Sequence, residues 1–393
     1  MSERRPDLVV VGAGTMGAWT ALWAQRGGRQ TLLIDEYGAG HPRATSGDEN
    51  RIIRSAHGRD ALYARWARRA REHWIALGDE VGEQLFVQAG VLWFAARNDG
   101  FEADTEHTLT SLRIPVERLT PSEAIARWPQ IGIDGLSFLL FEPEAGFLLA
   151  RRGVAAAARQ FEREGGKFRL AEARPGRADG DRLMEVVDGS GDRIKSDAFV
   201  FACGPWLPGL FPDQLAGLIK VTKQDVLYFG SPPGDGSFRS DRLPAWVDYG
   251  EAFWGVPAHE ERGFKIGPDG EGPPFDPSSG DRIVDPATIA TARRYLAIRF
   301  PALATQPVVE TRVCQYETTP DTNFLIDRHP EWENVWLVGG GSGHGFKHGP
   351  VIGEYVVSRL NGTLPGPDED RFALGPRAPQ PGMRTGGHRP VEA

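Results

Sequence analysis

Hydrophobic and polar positions divide the 393-residue chain into short segments of recognisable period. The first is the apolar run Leu8-Val9-Val10-Val11. It turns through Gly12-Ala13-Gly14-Thr15-Met16-Gly17 into Ala18-Trp19-Thr20-Ala21-Leu22-Trp23-Ala24, breaks at Gly27-Gly28 and returns as Thr31-Leu32-Leu33-Ile34-Asp35. This pattern predicts strand, tight turn, helix and strand. Two later runs read as buried strands that end on glycine: Asp197 to Cys203 before Gly204, and Val335 to Val338 before Gly339-Gly340-Gly341. Lys223 to Phe229, Ala245 to Tyr249, Phe253 to Val256 and Phe264 to Gly267 are β-rich, as are Val87 to Ala96 and Ser137 to Glu142. Lys167 to Ala171 and Met184 to Val187 read as strands flanking a polar turn. Helical spacing covers Ala61 to Leu77, Arg151 to Arg163, Pro286 to Phe300 and Gly349 to Leu360, and Thr120-Pro121-Ser122-Glu123 carries the start signals of another helix.

The first turn suits a dinucleotide. Gly12 permits the turn, Gly14 lets backbone approach a pyrophosphate, and Gly17 lets the helix pack closely on the sheet. Asp35, eighteen positions on from Gly17, is placed to bond a ribose hydroxyl, which favours FAD or NAD over NADP. The strand ending at Cys203-Gly204 can join the same sheet, with Cys203 present as a small apolar residue rather than a reactive thiol. Nucleotide-binding elements therefore occur in three blocks, residues 1–84, 148–215 and 312–376. Segments 85–147 and 216–311 form a β-rich substrate domain inserted between them. The expected fold class is α/β, a Rossmann-type, glutathione-reductase-like FAD domain with a discontinuous insertion. The Pro/Gly/Arg-rich stretch 377–393 reads as a mobile tail.

Composition narrows the classes. A net charge of −8 and the absence of a basic stripe argue against a nucleic-acid partner. Cys203 and Cys314 alone make neither a disulfide framework nor a metal site, and a reducing cytoplasm is the expected compartment. No apolar run is long enough to span a membrane.

The remaining signals come as an ordered set: Arg51-Ile52-Ile53-Arg54, Phe264-Lys265-Ile266-Gly267, Cys314-Gln315-Tyr316-Glu317-Thr318-Thr319-Pro320-Asp321, and Gly341-Ser342-Gly343-His344-Gly345-Phe346-Lys347. With the glycine turn, this set resembles the monomeric sarcosine oxidase and N-methyltryptophan oxidase family of D-amino-acid-oxidase-like flavoproteins, over the chain up to about Arg371. The resemblance implies FAD joined through a thioether to Cys314, oxidation of amino-acid amines, dioxygen as acceptor, and a monomer. It implies Arg54 and Lys347 as carboxylate anchors, Arg51 close to the flavin, and Lys265 as the promoter of oxygen reduction. It places Met16, Gly341, Gly343, Gly345 and Phe346 at the cofactor, and Trp254 and Tyr316 at the substrate. Three positions depart from the pattern of sarcosine-active members. Gly47-Asp48-Glu49-Asn50 stand where a His precedes the first Arg, Phe253-Trp254 stand for paired tyrosines, and Pro268-Asp269 stand for Tyr-His.

The residue chemistry agrees with those roles. No side chain can accept a hydride equivalent, so an organic cofactor must. Arg grips a carboxylate bidentately, and a second cation beside it adds to the hold. Lys265 alternates with Phe264 and Ile266, so it faces either solvent or, beside a flavin, the charge developing on oxygen. A nucleophilic Cys314 needs a cation nearby, for which Arg312 is the candidate. His344 stands as a general base or as a cofactor-contacting or structural residue. Glu317 either meets a cationic part of the substrate or is a solvated turn residue. Two rival classes remain: an FAD dehydrogenase passing electrons to a partner, and an NAD-dependent dehydrogenase using the same glycine turn.

Overall fold

Parallel pairing around Leu8–Val11 organises the first layer. In the computed structural model, which describes residues 5–363 and 369–379, Leu8–Val11 lies between Thr31–Asp35 and Ala198–Phe201, parallel to both. Lys167–Leu170 extends the sheet on one side, and Val335–Gly339 and Leu325–Arg328 extend it on the other, giving six strands. The central strands are apolar throughout because both faces are covered. Val10, Leu33 and Val200 pack under the helices Thr15–Arg26, Ala61–Val81, Ala150–Arg163 and Gly349–Leu360, while Val9, Ile34 and Phe199 pack against a small sheet at residues 173–195. Trp19 and Trp74 meet edge to face at 5.1 Å between the first two of those helices.

The second layer is an eight-stranded sheet. Its order is Val308–Thr318, Lys220–Phe229, Phe264–Pro268, Phe253–Val256, Ala245–Asp248, Val91–Ala95, Phe138–Glu142 and Glu117–Leu119. One face carries Leu227, Trp246, Phe264 and Ile266 and is covered by the helix Pro286–Arg299. Alternation sends Tyr228, Lys265 and Tyr316 to the opposite face. A three-stranded sheet pairs Asn50–Ile53 with Gly146–Leu149 and ties the layers together. Pro121–Arg127 begins with the expected capping box between Thr120 and Glu123.

Several expectations are corrected. Lys167–Leu170 does not flank a turn with Glu185–Asp188. It joins the six-stranded sheet beside Thr31–Asp35, while Glu185–Asp188 pairs with Ala173–Pro175 and Arg193–Lys195. The strand bearing Cys314 begins at Val308 and pairs along its whole length with Lys220–Phe229, so position 312 is no boundary between sheets. The helix Phe101–Ser111 lacked a clear apolar period and went unpredicted. Arg377 is no part of a mobile tail: its guanidinium is buried, 3.1 Å from Asp321 and bonded to the Asn323 and Phe324 carbonyls. The rest of that stretch, from residue 380, lies outside the described residues. No described helix is long and apolar enough to cross a membrane.

Candidate active site

Two adjoining cavities open between the layers. The larger, about 1450 Å³ with its mouth, runs past Gly12, Gly14, Met16, Asp35, Cys203, Gly204, Tyr316, Glu317, Gly341, Gly343, Gly345 and Phe346. The smaller, about 710 Å³, is lined by Arg54, Tyr249, Trp254, Asp269, Cys314, His344 and Lys347, among others. Arg51, Tyr316, Gly343 and Phe346 line both, so they mark the junction.

The larger cavity starts at the glycine turn. Gly12 has a φ of +102°, and a Cβ there would strike the Ala202 carbonyl. Gly17 does not line the cavity; a Cβ at Gly17 would strike the Gly12 carbonyl, so its role is packing. The helix Thr15–Arg26 has no acid in its first turn and glycine at its N-cap; Ser46 Oγ accepts from the Thr15 amide at 3.0 Å, and the end of the helix dipole suits an anion. Asp35 accepts from the amides of Ala13 (2.7 Å), Tyr37 (2.8 Å) and Gly38 (2.7 Å), locking the turn to the end of its strand. Burial pushes the Cys203 thiol up, in keeping with a packing role. A long cleft with glycine walls at three strand ends fits a dinucleotide.

Behind Arg51, one carboxylate that lines neither cavity gathers three side chains. Asp48 Oδ2 accepts from Lys265 Nζ at 2.5 Å and from Arg51, and its Oδ1 accepts from Tyr228 Oη at 3.0 Å. Lys265 is fully buried and also donates to the Asn50 carbonyl at 2.8 Å and the Asn50 side chain at 3.0 Å. Burial lowers Lys265 to about 8, against the pull of Asp48. Burial works to raise Asp48, but Lys265 and Arg51 hold it well below the usual carboxylate range. Lys265 therefore points into the protein rather than to solvent. Arg51 Nη2 lies 2.8 Å from Cys314 Sγ. The cation at Cys314 is Arg51, then, and not Arg312, which pairs with Glu310 and Glu49.

The smaller cavity holds the two expected anchors. Arg54 is buried, donates to Tyr249 Oη at 3.0 Å and to the Ala56 carbonyl, and its guanidinium lies 5.0 Å from the centre of the Trp93 ring. Lys347 is buried and donates to the His344 carbonyl at 3.0 Å. Trp254 forms a wall 5.1 Å from Lys265 Nζ, but Phe253 turns to the core and stacks on Tyr295 at 4.4 Å. His344 donates from Nε2 to the Thr322 carbonyl at 3.0 Å, which puts its proton on that nitrogen. His57, His344 and His348 bring ring nitrogens within 4.8 Å of one another. Burial, together with Arg54 and Lys347, pushes His57 and His348 well below the usual range, so both are neutral. A dication there would face those two cations with no carboxylate ligand, which disfavours a metal.

Sequence reasoning missed Asp48, Tyr228 and Tyr249. Asp48 stands three before Arg51, a spacing that could have suggested an ion pair; the two tyrosines carried no signal beyond strand alternation. Glu317 is neither solvated nor in the substrate cavity. It is buried in the larger one, and burial raises it to about 7.

Residues 7–359 match the family model described as DAO, FAD dependent oxidoreductase. The chain belongs to that family. It is an FAD-dependent oxidoreductase. The chain is 26% identical over 372 residues to N-methyl-L-tryptophan oxidase of Salmonella typhimurium, which covers 94% of this chain and 98% of that protein. It is 29% identical over 377 residues to monomeric sarcosine oxidase of an Arthrobacter species, covering 90% and 92%. Among solved structures it superposes on fructosyl peptide oxidase from E. terrenum with a TM-score of 0.83 at 23% identity, covering 98% and 96%. Superposition on L-proline dehydrogenase from P. horikoshii gives 0.82 at 21%, covering 94% and 97%. These likenesses establish the DAO fold.

Proposed function

We propose that the protein is an oxidase of amino acids or N-substituted amino acids that carry a free carboxylate. The observation that supports this most is the pair Arg54 and Lys347, buried together in a cavity that meets the FAD site at Arg51, Tyr316, Gly343 and Phe346. Two buried cations lining one cavity suit the carboxylate of a bound substrate. Arg54 offers the bidentate grip, with its aromatic support from Trp93 and its bond to Tyr249 fixing the plane of the guanidinium. Trp254 adds an aromatic wall to the cavity. FAD held in the larger cavity would supply the two-electron acceptor, with dioxygen as the terminal oxidant and peroxide as its product. Lys265 provides a buried positive charge behind Arg51 and Trp254, able to stabilise negative charge growing on oxygen. Cys314, with Arg51 beside its sulfur, is the proposed point of covalent attachment. The names of the curated relatives, N-methyl-L-tryptophan oxidase and monomeric sarcosine oxidase, support an amine substrate.

The testing experiment is a peroxide-release screen across N-methyl, cyclic, D- and L-amino acids, each beside its decarboxylated amine. The acids are expected to react and the decarboxylated amines to fail. Equal rates for both would remove Arg54 and Lys347 from the carboxylate role. Absence of peroxide with rapid substrate-driven bleaching of the flavin would point instead to a dehydrogenase that uses a partner.

A further inference from the structure

Glu317 is a buried acid of the larger cavity whose chemistry the reaction above leaves unused. It follows Tyr316 on the strand Val308–Thr318, is 6% exposed, and its Oε2 has no hydrogen-bond partner. The carboxyl faces space left by glycines. A Cβ built on Gly341 would lie 3.2 Å from Oε1, and one built on Gly204 would lie 3.7 Å from Oε2. A buried oxygen without a partner is costly unless a ligand completes it.

The charges around it decide its form. Among the described residues lining this cavity, the acids are Asp35, Glu36, Glu172 and Glu317, and the one cation is Arg51, already paired with Asp48. Cys203, across from Glu317, stays a thiol because burial, Asp35 and Glu317 all push it up. Tyr316 is the titratable neighbour on its own strand, and Gly340 and Gly341 offer only amides that lower Glu317 less than burial raises it. FAD brings two phosphate charges into this space. An ionised Glu317 would add like charge to a cavity that takes an anion, and its lining cation Arg51 is already paired.

We propose that Glu317 holds FAD as a carboxylic acid, donating its proton in a hydrogen bond to an acceptor oxygen of the dinucleotide, so that FAD binds together with one proton. The ligand supplies the partner that Oε2 lacks, and the proton comes from solvent whenever the free site is ionised. A value near 7 for the free site means that this uptake falls within the neutral range. The inference rests on the assignment of the larger cavity to FAD.

The test uses the full chain carrying Cys314→Ser, so that FAD exchanges freely. FAD is titrated into the flavin-free protein between about pH 5 and 9, and binding is read from the quenching of flavin fluorescence. The Kd is expected to be flat below neutrality and to rise about tenfold per pH unit above about 7. Glu317→Gln keeps a donor of the same shape and is expected to bind with a flat profile, within about threefold of the low-pH parent value. A pH-independent Kd in the parent overturns the proposal, as does an unchanged slope in Glu317→Gln. Infrared difference spectra of the parent give a measurement that needs no variant at position 317: above neutrality, FAD binding should add a protonated-carboxyl band, and its absence overturns the proposal. A parent that binds no FAD at any pH overturns the cavity assignment itself.

Discussion

Asp48 Oδ2 stands 2.5 Å from Lys265 Nζ, across 217 residues of sequence and with both side chains shielded from water. The same carboxylate holds Arg51, which in turn touches Cys314. One acid thus sets the place of two cations and, through Arg51, the surroundings of the sulfur. The predictions begin from this arrangement.

Lys265→Met is expected to slow reoxidation of the flavin by oxygen roughly 10²- to 10³-fold, the usual scale for losing one preorganised charge. Reduction by substrate should be largely spared, because Arg54 and Lys347 remain. Stopped-flow measurement of the two half-reactions checks this; equal losses in both would remove Lys265 from the oxygen role.

The pH dependence of reoxidation follows from the same lysine. Burial lowers it to about 8, so its charge is complete below that value and lost as pH rises through it. Reoxidation should therefore be fast at neutral pH and decline above about 8. The Lys265→Met variant should show no such decline.

Asp48→Asn leaves the buried Lys265 and the half-buried Arg51 without their counter-charge. Breaking a buried pair in this way costs roughly 3–5 kcal/mol, to be read from chemical or thermal unfolding against the parent. The same change should move the decline of reoxidation to lower pH, because Lys265 loses the group that favours its charged form. A decline left in place at an unaltered pH would show that Asp48 does not set the lysine's charge.

Arg54→Lys keeps the charge but loses the planar two-bond grip and the packing on Trp93. KM for an acid substrate is expected to rise roughly 10²-fold, within the ~2–5 kcal/mol seen when a buried charge pair is truncated. Reoxidation of the reduced flavin by oxygen serves as the control, since Lys265 is untouched and that rate should not change.

Cys314→Ser should release all flavin on acid precipitation, whereas the parent keeps it in the pellet. Complete release from the parent would end the covalent assignment and leave FAD bound by the cavity alone.

The nucleotide half was legible because its requirements are local. A strand that is apolar end to end, a glycine that alone tolerates a φ of +102°, and a glycine whose Cβ would strike the turn each leave a mark within a few residues. Capping at Thr120 is local in the same way. The cation set Arg51, Arg54, Lys265 and Lys347 was legible through motif resemblance; Arg51, Arg54 and Lys347 line the cavities, while Lys265 lines neither and lies behind Arg51, joined to it through Asp48. The sequence could not say which acid meets which base. Period-two alternation puts Lys265 on one of two faces, and only the sheet's position against Asn50–Ile53 decides that this face is buried against Asp48. The same holds for Glu317. One strand position beyond Tyr316 looks like a solvated turn until the glycine ends of two other strands close around it. Burial and charge pairing depend on segments far apart in the chain, so the protonation states of this site were decided by tertiary structure alone.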